Sequence, residues 1–375
     1  MPDFVHTGVT NIALVGDTIT VTCRDVLPPE PDESPITDEV STLGELCTAL
    51  SDGSPDITLM KSVYVTKSGP QIIANRRHAI TLRGAPGVTI TGSGEDFHLV
   101  SAGSGAGGSM TFVGLTLDGG LRKHWGESPQ DEAGNFFVPG LDVAIFDGCS
   151  TMYSRRTGIF AQAVGSLVIR NTTCYCTTRD FVWCDDANKV LVENCSITHC
   201  GDDSIGWHVS GGKTGAGRSG IFRNNRIFGG LGIKVLGPNI EICGNQLVAC
   251  GFYGIRLGSD PPEGSSAPIE NINVHDNVIT DVQITNPCHV GQRMGYWIWL
   301  EYPAKLVTGP VSFTNNTLVR TNTKGMMRLL YPWAQDGAFT KSGWSTNWVM
   351  DVGSEAFRWN CGTSKPQFNN KLVGF

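Results

Sequence analysis

Several features that would identify common functional classes are missing from this sequence of 375 residues. Charged residues make up only 17% of the chain and form no basic run, which argues against binding to nucleic acid. No stretch approaches about 18 consecutive apolar residues, so we expect no membrane span. The N-terminus lacks the basic start and apolar core of a signal peptide. We leave the compartment open, with an extracellular or virion-associated location as the expectation.

Motifs of nucleotide-dependent enzymes and of serine hydrolases are also missing. No GxGxxG follows a strand and opens a helix, no GxxxxGK[ST] occurs, and no GxSxG elbow is found. The 12 cysteines include no CxxC pair with zinc-finger spacing. We predict no metal-ligand set and no cofactor. The cysteines are interpreted mainly as reduced, buried thiols, with disulfides as the alternative.

A repeated pattern fills the middle of the chain. Segments such as "VLVENCSITHC" and "GIFRNNRIFGG" each contain a short apolar strand, a polar corner and a second short strand. The corner positions align at Cys149, Thr172, Cys195, Asn225, Asn245, Asn277 and Asn316. A period of roughly 20–30 residues indicates a solenoid, whereas a β-propeller needs about 40 residues per blade. The inward corner residues are predicted to form an asparagine ladder that bonds to neighbouring coils.

The predicted fold class is all-β, a right-handed single-stranded parallel β-helix with an N-terminal capping helix. Leu43, Leu46 and Leu50 have helical spacing, and Ser41 or Thr42 is a suitable N-cap. A helix there would cover the open end of the solenoid. We divide the chain into an N-terminal extension and linker (1–35), the β-helix (36–332) and a C-terminal cover (333–375).

The third strand of each coil carries an unusual outward face. Alternation places Ile205, Ile233, Ile255 and Ile298 in one inward column. It also places Trp207 in the core, where the fit is tight. The first outward column is Trp183, Gly206, Lys234, Arg256, Trp299 and Arg328. The second is Asp185, His208, Leu236, Gly258, Glu301 and Leu330. Two interpretations stay open, a solvated surface or a groove that binds a long acidic glycan through its cations, tryptophans and carboxylates.

Three aspartates are predicted to meet at one end of these third strands. Asp180 in "TRDFVW" aligns with Asp203 in "DDSIGW", one coil later, and Asp202 lies beside Asp203. Adjacent parallel strands are about 4.8 Å apart, so the carboxyl groups should crowd together. Crowding raises one pKa and leaves an acid and a base near neutral pH, as glycoside hydrolysis requires. The alternative is that each aspartate only caps a turn.

These residues resemble the pectin-lyase-like β-helix superfamily, and most closely the polygalacturonase-type glycoside hydrolases. Asp180, Asp202, Asp203 and Arg256 match positions of the family motif, which runs over successive coils. Leu231 and Gly258 stand where that family has a histidine and a lysine. The resemblance implies an inverting hydrolase of an acidic polysaccharide. The aspartate trio would supply the acid and the water-activating groups, and Arg256 would grip a uronate carboxylate.

Two other functions remain open. A lyase of the same fold would use Lys234 or Arg256 as the base, with Ca²⁺ held by the aspartate cluster. A tailspike-like virion protein would bind surface glycans without cleaving them, and this alternative includes assembly as a homotrimer. In each case the predicted partner is a polysaccharide.

Overall fold

The structure is a computed structural model that describes residues 8–15, 18–24, 38–74, 79–102, 107–121, 134–209, 217–258, 270–280, 282, 295–301, 311–319, 327–332 and 368–373. The chain divides into two compact units, Met1–Thr37 and Asp38–Phe375. In the first unit, strands β1 (Gly8–Val15) and β2 (Thr18–Arg24) form an antiparallel hairpin. The predicted linker and residues 333–367 of the predicted C-terminal cover lie outside the described residues, and the proposed domain limits stay a prediction.

In the second unit, parallel strands numbered in chain order stack into three ladders. The first ladder contains β3 (Asp38–Val40), β4 (Asp56–Leu59), β7 (Ala79–Gly84), β10 (Ser109–Val113), β13 (Val143–Asp147), β16 (Ser166–Arg170), β19 (Lys189–Glu193), β22 (Ser219–Arg223), β25 (Ile240–Cys243) and β28 (Ile272–His275). The second contains β5 (Val63–Val65), β8 (Thr89–Gly92), β11 (Thr116–Asp118), β14 (Ser150–Met152), β17 (Thr173–Thr177), β20 (Ser196–Cys200), β23 (Arg226–Phe228), β26 (Gln246–Val248) and β29 (Val278–Thr280). Strand β31 (Val311–Val319) pairs with both ladders and with β33 (Phe368–Val373).

The third ladder forms a separate sheet of strands that pair only in parallel. It contains β6 (Ile72–Ala74), β9 (Val100–Ala102), β12 (Gly134–Pro139), β15 (Thr157–Gln162), β18 (Val182–Asp185), β21 (Ile205–His208), β24 (Ile233–Leu236), β27 (Tyr253–Gly258), β30 (Gly295–Glu301) and β32 (Met327–Pro332). One strand from each ladder makes a coil, so the predicted parallel β-helix is confirmed. The described residues include no helix with the length and hydropathy that a membrane crossing needs.

Helix α1 (Leu43–Asp52) precedes the coils, as predicted. Thr42 is its N-cap, and Glu45 completes a capping box by accepting a hydrogen bond from the Thr42 backbone. Gly53 ends the helix in the left-handed region with φ of 82°. Leu46 and Leu50 are buried against the first strands, so the helix covers that end of the core.

The corner between the first and second strands uses a fixed pair of positions. The first position is in the left-handed region, with φ between 53° and 64°, in eight coils: Gly114, Gly148, Asn171, Asn194, Asn224, Gly244, Asp276 and Asn315. Glycine, asparagine and aspartate are the residues that accept this conformation most readily. The turn aims the next residue into the core, where Asn225, Asn245, Asn277 and Asn316 are fully buried.

Those buried asparagines form the predicted ladder. The Oδ1 of Asn245 accepts hydrogen bonds from the backbone N–H and from the Nδ2 of Asn225, each at 2.9 Å. Asn277 and Asn316 repeat the arrangement on the following coils. Because each amide serves two coils, the ladder fixes the axial register of the stack.

The inward column of the third ladder is also confirmed. Ile205 pairs with Ile233, Ile233 with Ile255, and Ile255 with Ile298. Trp207 is fully buried in the core, because Gly220 and Gly237 leave space against its ring. A Cβ at either glycine would lie 3.1–3.2 Å from the indole carbons, which is too close for an ordinary contact.

One part of the predicted register is wrong. The sequence alignment placed Arg328 beside Trp299 and Leu330 beside Glu301. In the structure Arg328 pairs with Tyr296 and Leu330 with Ile298, an offset of three residues. The segment "RLLYP" has two adjacent leucines, so apolar alternation alone does not determine which one occupies the inward column.

We expect Asn245→Ala to lower the free energy of unfolding by about 2–4 kcal/mol. The substitution leaves the buried Asn225 N–H without its acceptor and removes a donor to the buried Phe222 carbonyl. Chemical denaturation measures the effect, with the exposed neighbour Gln246→Ala as the matched control. Equal stabilities for the two variants would contradict a ladder that fixes the register.

Candidate active site

Adjacent coils bring the three predicted aspartates together. Asp180 lies two residues before Val182, the first residue of β18. Asp203 lies two residues before Ile205, which pairs with Val182 on the next coil, and Asp202 precedes Asp203 in the same turn. Carboxylate oxygens of all three residues lie within 4.8 Å of one another. Asp180 and Asp203 are buried, whereas Asp202 keeps 16% of its side chain exposed. Parallel stacking therefore places three acidic groups in one cluster, which we call the aspartate cluster.

Cationic side chains surround the aspartate cluster. The Nη2 of Arg179 donates to the Oδ2 of Asp202 at 2.9 Å. The Nζ of Lys234 lies 3.7 Å from the Oδ2 of Asp203. Arg256, which follows Lys234 in the same column, lies near enough for its charge to lower the pKa of Asp203. Three positive side chains therefore face three carboxyl groups.

The burial of these cations corrects the sequence-based prediction of an exposed cationic groove. Lys234 is 3% exposed and Arg256 is 9% exposed. Their strand neighbours Ile233, Val235, Ile255 and Leu257 belong to the hydrophobic core, so alternation places both cations on the opposite face of the sheet. They are nevertheless covered, because a buried carboxylate attracts a cation that would otherwise remain in water.

Tyr253 completes the surroundings of Asp203. Its hydroxyl donates a hydrogen bond to the Oδ1 of Asp203, and the phenol is almost fully buried. Burial and the nearby Asp203 carboxylate raise the pKa of Tyr253 well above its usual value. The hydroxyl therefore stays protonated and acts as a fixed donor.

The aspartates differ in their protonation. Burial, followed by the charges of Asp202 and Asp203, raises the pKa of Asp180 well above its usual range. Burial also raises the pKa of Asp203, but the Lys234 ammonium opposes that effect. Asp202 forms a direct ion pair with Arg179. The raised pKa of Asp180 therefore favours a proton on this carboxyl group, beside the ion pair of Asp202 and Arg179.

Gly206 lies next to the cluster and is buried, and a Cβ at this position would be 3.4 Å from the carbonyl oxygen of Val182. A Cβ at this glycine would be 3.7 Å from both the Oδ2 of Asp203 and the Nε2 of His208. Asp185 connects the neighbouring groups, since it accepts from the indole Nε1 of Trp183 at 2.9 Å and lies 3.5 Å from the Nδ1 of His208. Gly206 is therefore enclosed by the Val182 backbone and by the side chains of Asp203 and His208.

An aromatic stack extends from this position over the preceding coils. The ring of Trp183 lies 4.5 Å from that of Phe160, and Phe160 lies 5.0 Å from Phe137, which stacks on His98 at 4.6 Å. The guanidinium of Arg156 lies 4.4 Å above the Trp183 ring. We call His98, Phe137, Phe160 and Trp183 the aromatic ladder.

Sequence analysis named Trp183 but missed the other members of the aromatic ladder, as well as Arg179 and Tyr253. Phe137 and Phe160 belong to the same column as Trp183, so the alternation rule finds them when it is continued two coils earlier. Arg179 is adjacent to Asp180 in sequence. Tyr253 carries no such signal, because its hydroxyl reaches Asp203 from two coils away.

The remaining predicted residues lie on later coils. Trp299 pairs with Arg256, and Glu301 pairs with Gly258, as the alignment predicted. Arg328 is displaced from that column by the register offset described above. For these three residues the structure describes the strand position alone, so their predicted contact with a glycan stays a prediction.

The aspartate cluster is poorly suited to Ca²⁺. The ion takes six to eight oxygen ligands, typically with an excess of negative charge. Here the Lys234 ammonium and the Arg179 guanidinium already face the carboxylates. These cations would compete with Ca²⁺ for the carboxylates, and the Ca²⁺ site of the lyase alternative stays a prediction.

A comparison with protein families matches residues 136–327 to the family described as "Right handed beta helix region". The match covers just over half of the chain and includes the aspartate cluster, Lys234 and Arg256. A comparison with curated proteins found no match.

We expect Asp180→Asn to raise the thermal midpoint at neutral pH. The pKa of Asp180 is higher in the folded chain than in the unfolded chain. The contribution of this group to stability is therefore complete below the unfolded pKa and is lost as pH rises through the folded pKa. The asparagine side chain does not ionise, so the variant avoids this loss of stability. The difference in thermal midpoint between the variant and the wild-type chain should therefore shrink as pH falls toward the usual aspartate pKa of about 4. Thermal unfolding from mildly acidic to alkaline pH checks the sign, with Asp147→Asn in β13 as the control. A midpoint difference that stays constant over this range would contradict a buried, protonated Asp180.

Proposed function

Because this chain belongs to the right-handed β-helix family, in which polysaccharide degradation and glycan binding are both known, we propose that it hydrolyses glycosidic bonds in an acidic polysaccharide. The observation that carries the proposal is the aspartate cluster beside Lys234 and Arg256. A fold supports many functions, so the argument rests on these side chains.

The three carboxyl groups can divide the chemical work. Asp180, whose pKa is raised by burial, is proposed to protonate the leaving glycosidic oxygen. Asp202 is the most exposed of the three and is paired with Arg179, so it is proposed to take a proton from the attacking water. Asp203, held by Tyr253 and Lys234, is proposed to orient that water.

The surroundings of the cluster supply binding groups of two kinds. Arg256 is proposed to bind a uronate carboxylate, because a guanidinium forms charge-assisted hydrogen bonds with that group. The rings of the aromatic ladder stack on one another, and its partly exposed members Phe137 and Trp183 are proposed to contact sugar rings. A sugar that contacts Trp183 would then approach the column that runs through Gly206 to Lys234 and Arg256.

Inversion at the anomeric carbon is part of this proposal and rests on the resemblance to polygalacturonases. The usual inverting pair is separated by about 6.5–9.5 Å, whereas retaining pairs are about 5–5.5 Å apart. The carboxylate oxygens here lie within 4.8 Å. Product stereochemistry, followed by NMR, therefore decides between the two outcomes.

Glycan binding without cleavage is the second candidate function. The burial of Asp180 and Asp203 favours it, because a buried cluster can serve as an ion-pair network beneath a binding surface. In that case the aromatic ladder would provide the contact with the glycan, as expected for a tailspike-like protein.

We expect Asp202→Asn to lower the rate of reducing-end release by on the order of 10²–10⁴-fold, because the amide cannot accept the proton of water. The assay uses a panel of acidic and neutral polysaccharides. Asp147→Asn is the matched control, since Asp147 pairs with Arg170 in the first ladder, away from the cluster.

Three results would contradict the hydrolase. Full activity in Asp202→Asn would exclude the proposed base. An unsaturated uronate product, detected by its ultraviolet absorbance, would indicate a lyase. Binding of a glycan without any cleavage by the wild-type chain would favour the second candidate.

We expect Arg256→Gln to lower kcat/KM for a free uronate polymer by about 10–100-fold, the equivalent of one charge-assisted hydrogen bond. Methyl esterification of the polymer removes the negative charge, so the same variant should change kcat/KM for the ester much less. Steady-state kinetics on the two polymers give the comparison. An equal loss on both would show that Arg256 acts through the stability of the cluster and not through the uronate.

A further inference from the structure

A second group of reactive side chains lies on the outward face of the first ladder. Glu241 and Cys243 are two residues apart on β25, so they project from the same face of that strand. His275 on β28 is the direct cross-strand partner of Cys243. The ligand atoms of these three residues lie within 4.8 Å of one another. This cluster is in a different sheet from the aspartate cluster.

The spacing of these atoms suits a tetrahedral ion. With Zn–N and Zn–O bonds of about 2.0–2.2 Å, two ligand atoms of a tetrahedral site are separated by about 3.3–3.5 Å. The Nε2 of His275 lies 3.2 Å from the Oε1 of Glu241. Both side chains are partly exposed, at 22% and 21%, so an ion could reach them from solvent.

A second carboxylate holds the imidazole in the orientation that metal binding requires. The Nδ1 of His275 lies 2.6 Å from the Oδ2 of Asp276. In metal sites the ring nitrogen that does not bind the ion donates to such a group, which fixes the tautomer. Here that contact leaves Nε2 directed toward Glu241.

We propose that Glu241, Cys243 and His275 form a binding site for Zn²⁺ that has three protein ligands and one position for water. A thiolate, an imidazole and a carboxylate are a ligand set for zinc, whereas Ca²⁺ and Mg²⁺ prefer oxygen alone. Sequence spacing does not reveal the site, because one ligand comes from the following coil.

A metal ion at this position would join two coils. The ligands belong to β25 and β28, which pair in parallel next to the buried asparagines 245 and 277. An ion bound by the folded chain alone stabilises it in proportion to the logarithm of its free concentration. Binding of Zn²⁺ is therefore expected to stabilise the folded chain, and this effect does not depend on the proposed hydrolysis.

Titration of the chelator-treated full-length chain with Zn²⁺ alone tests the site. We expect one equivalent to bind and the thermal midpoint to rise. Co²⁺ in place of Zn²⁺ should give the near-ultraviolet charge-transfer band of a thiolate ligand. Cys243→Ser should remove that band, and Asp276→Asn should weaken Zn²⁺ binding by about 10–100-fold.

Two controls make the result decisive. Cys47→Ser changes a half-buried thiol on helix α1 and should leave Zn²⁺ binding unaltered. Glu241→Gln tests a second ligand without altering the cysteine. Failure of the wild-type chain to bind Zn²⁺, or binding that persists unchanged in both ligand variants, would overturn the site and leave an ion-pair network. Glycan cleavage is measured separately, so neither result bears on the hydrolase proposal.

Discussion

The site depends on the neutralisation of three crowded carboxyl groups by cations from neighbouring coils. Burying a charge is costly unless it is paired and hydrogen-bonded. Arg179 pairs with Asp202, Lys234 approaches Asp203, and burial raises the pKa of Asp180, which favours its protonated form. Without these compensations the carboxylates would repel one another and the turns that carry them would separate.

This compensation is possible because the coils are held in register. The participating side chains come from successive coils of the third ladder, so an error of one residue in any pair would move a cation to the other face. The buried asparagines and the isoleucine column fix that register from the inside. The core therefore determines where the charges lie, while the outward face is free to carry chemistry.

Sequence analysis reached the fold and much of the site for a physical reason. The strand pairs Ile159–Val182 and Val182–Ile205 have the same spacing along the chain, so Asp180 and Asp203 could be placed side by side from alignment of these coils alone. The method failed for Arg328, where adjacent leucines gave no unique alternation. It also failed for the contact of Tyr253 with Asp203 and for the burial of Lys234, because both depend on how side chains pack over a turn.

A double-mutant cycle on Lys234 and Asp203 tests the central claim of charge compensation most directly. Lys234→Met and Asp203→Asn should each destabilise the chain, since each leaves a buried charge without its partner. The double variant should be more stable than the sum of the single losses predicts, with a coupling free energy of about 0.5–3 kcal/mol. Additive losses would contradict the account, because they would mean that the two groups do not interact within the folded chain.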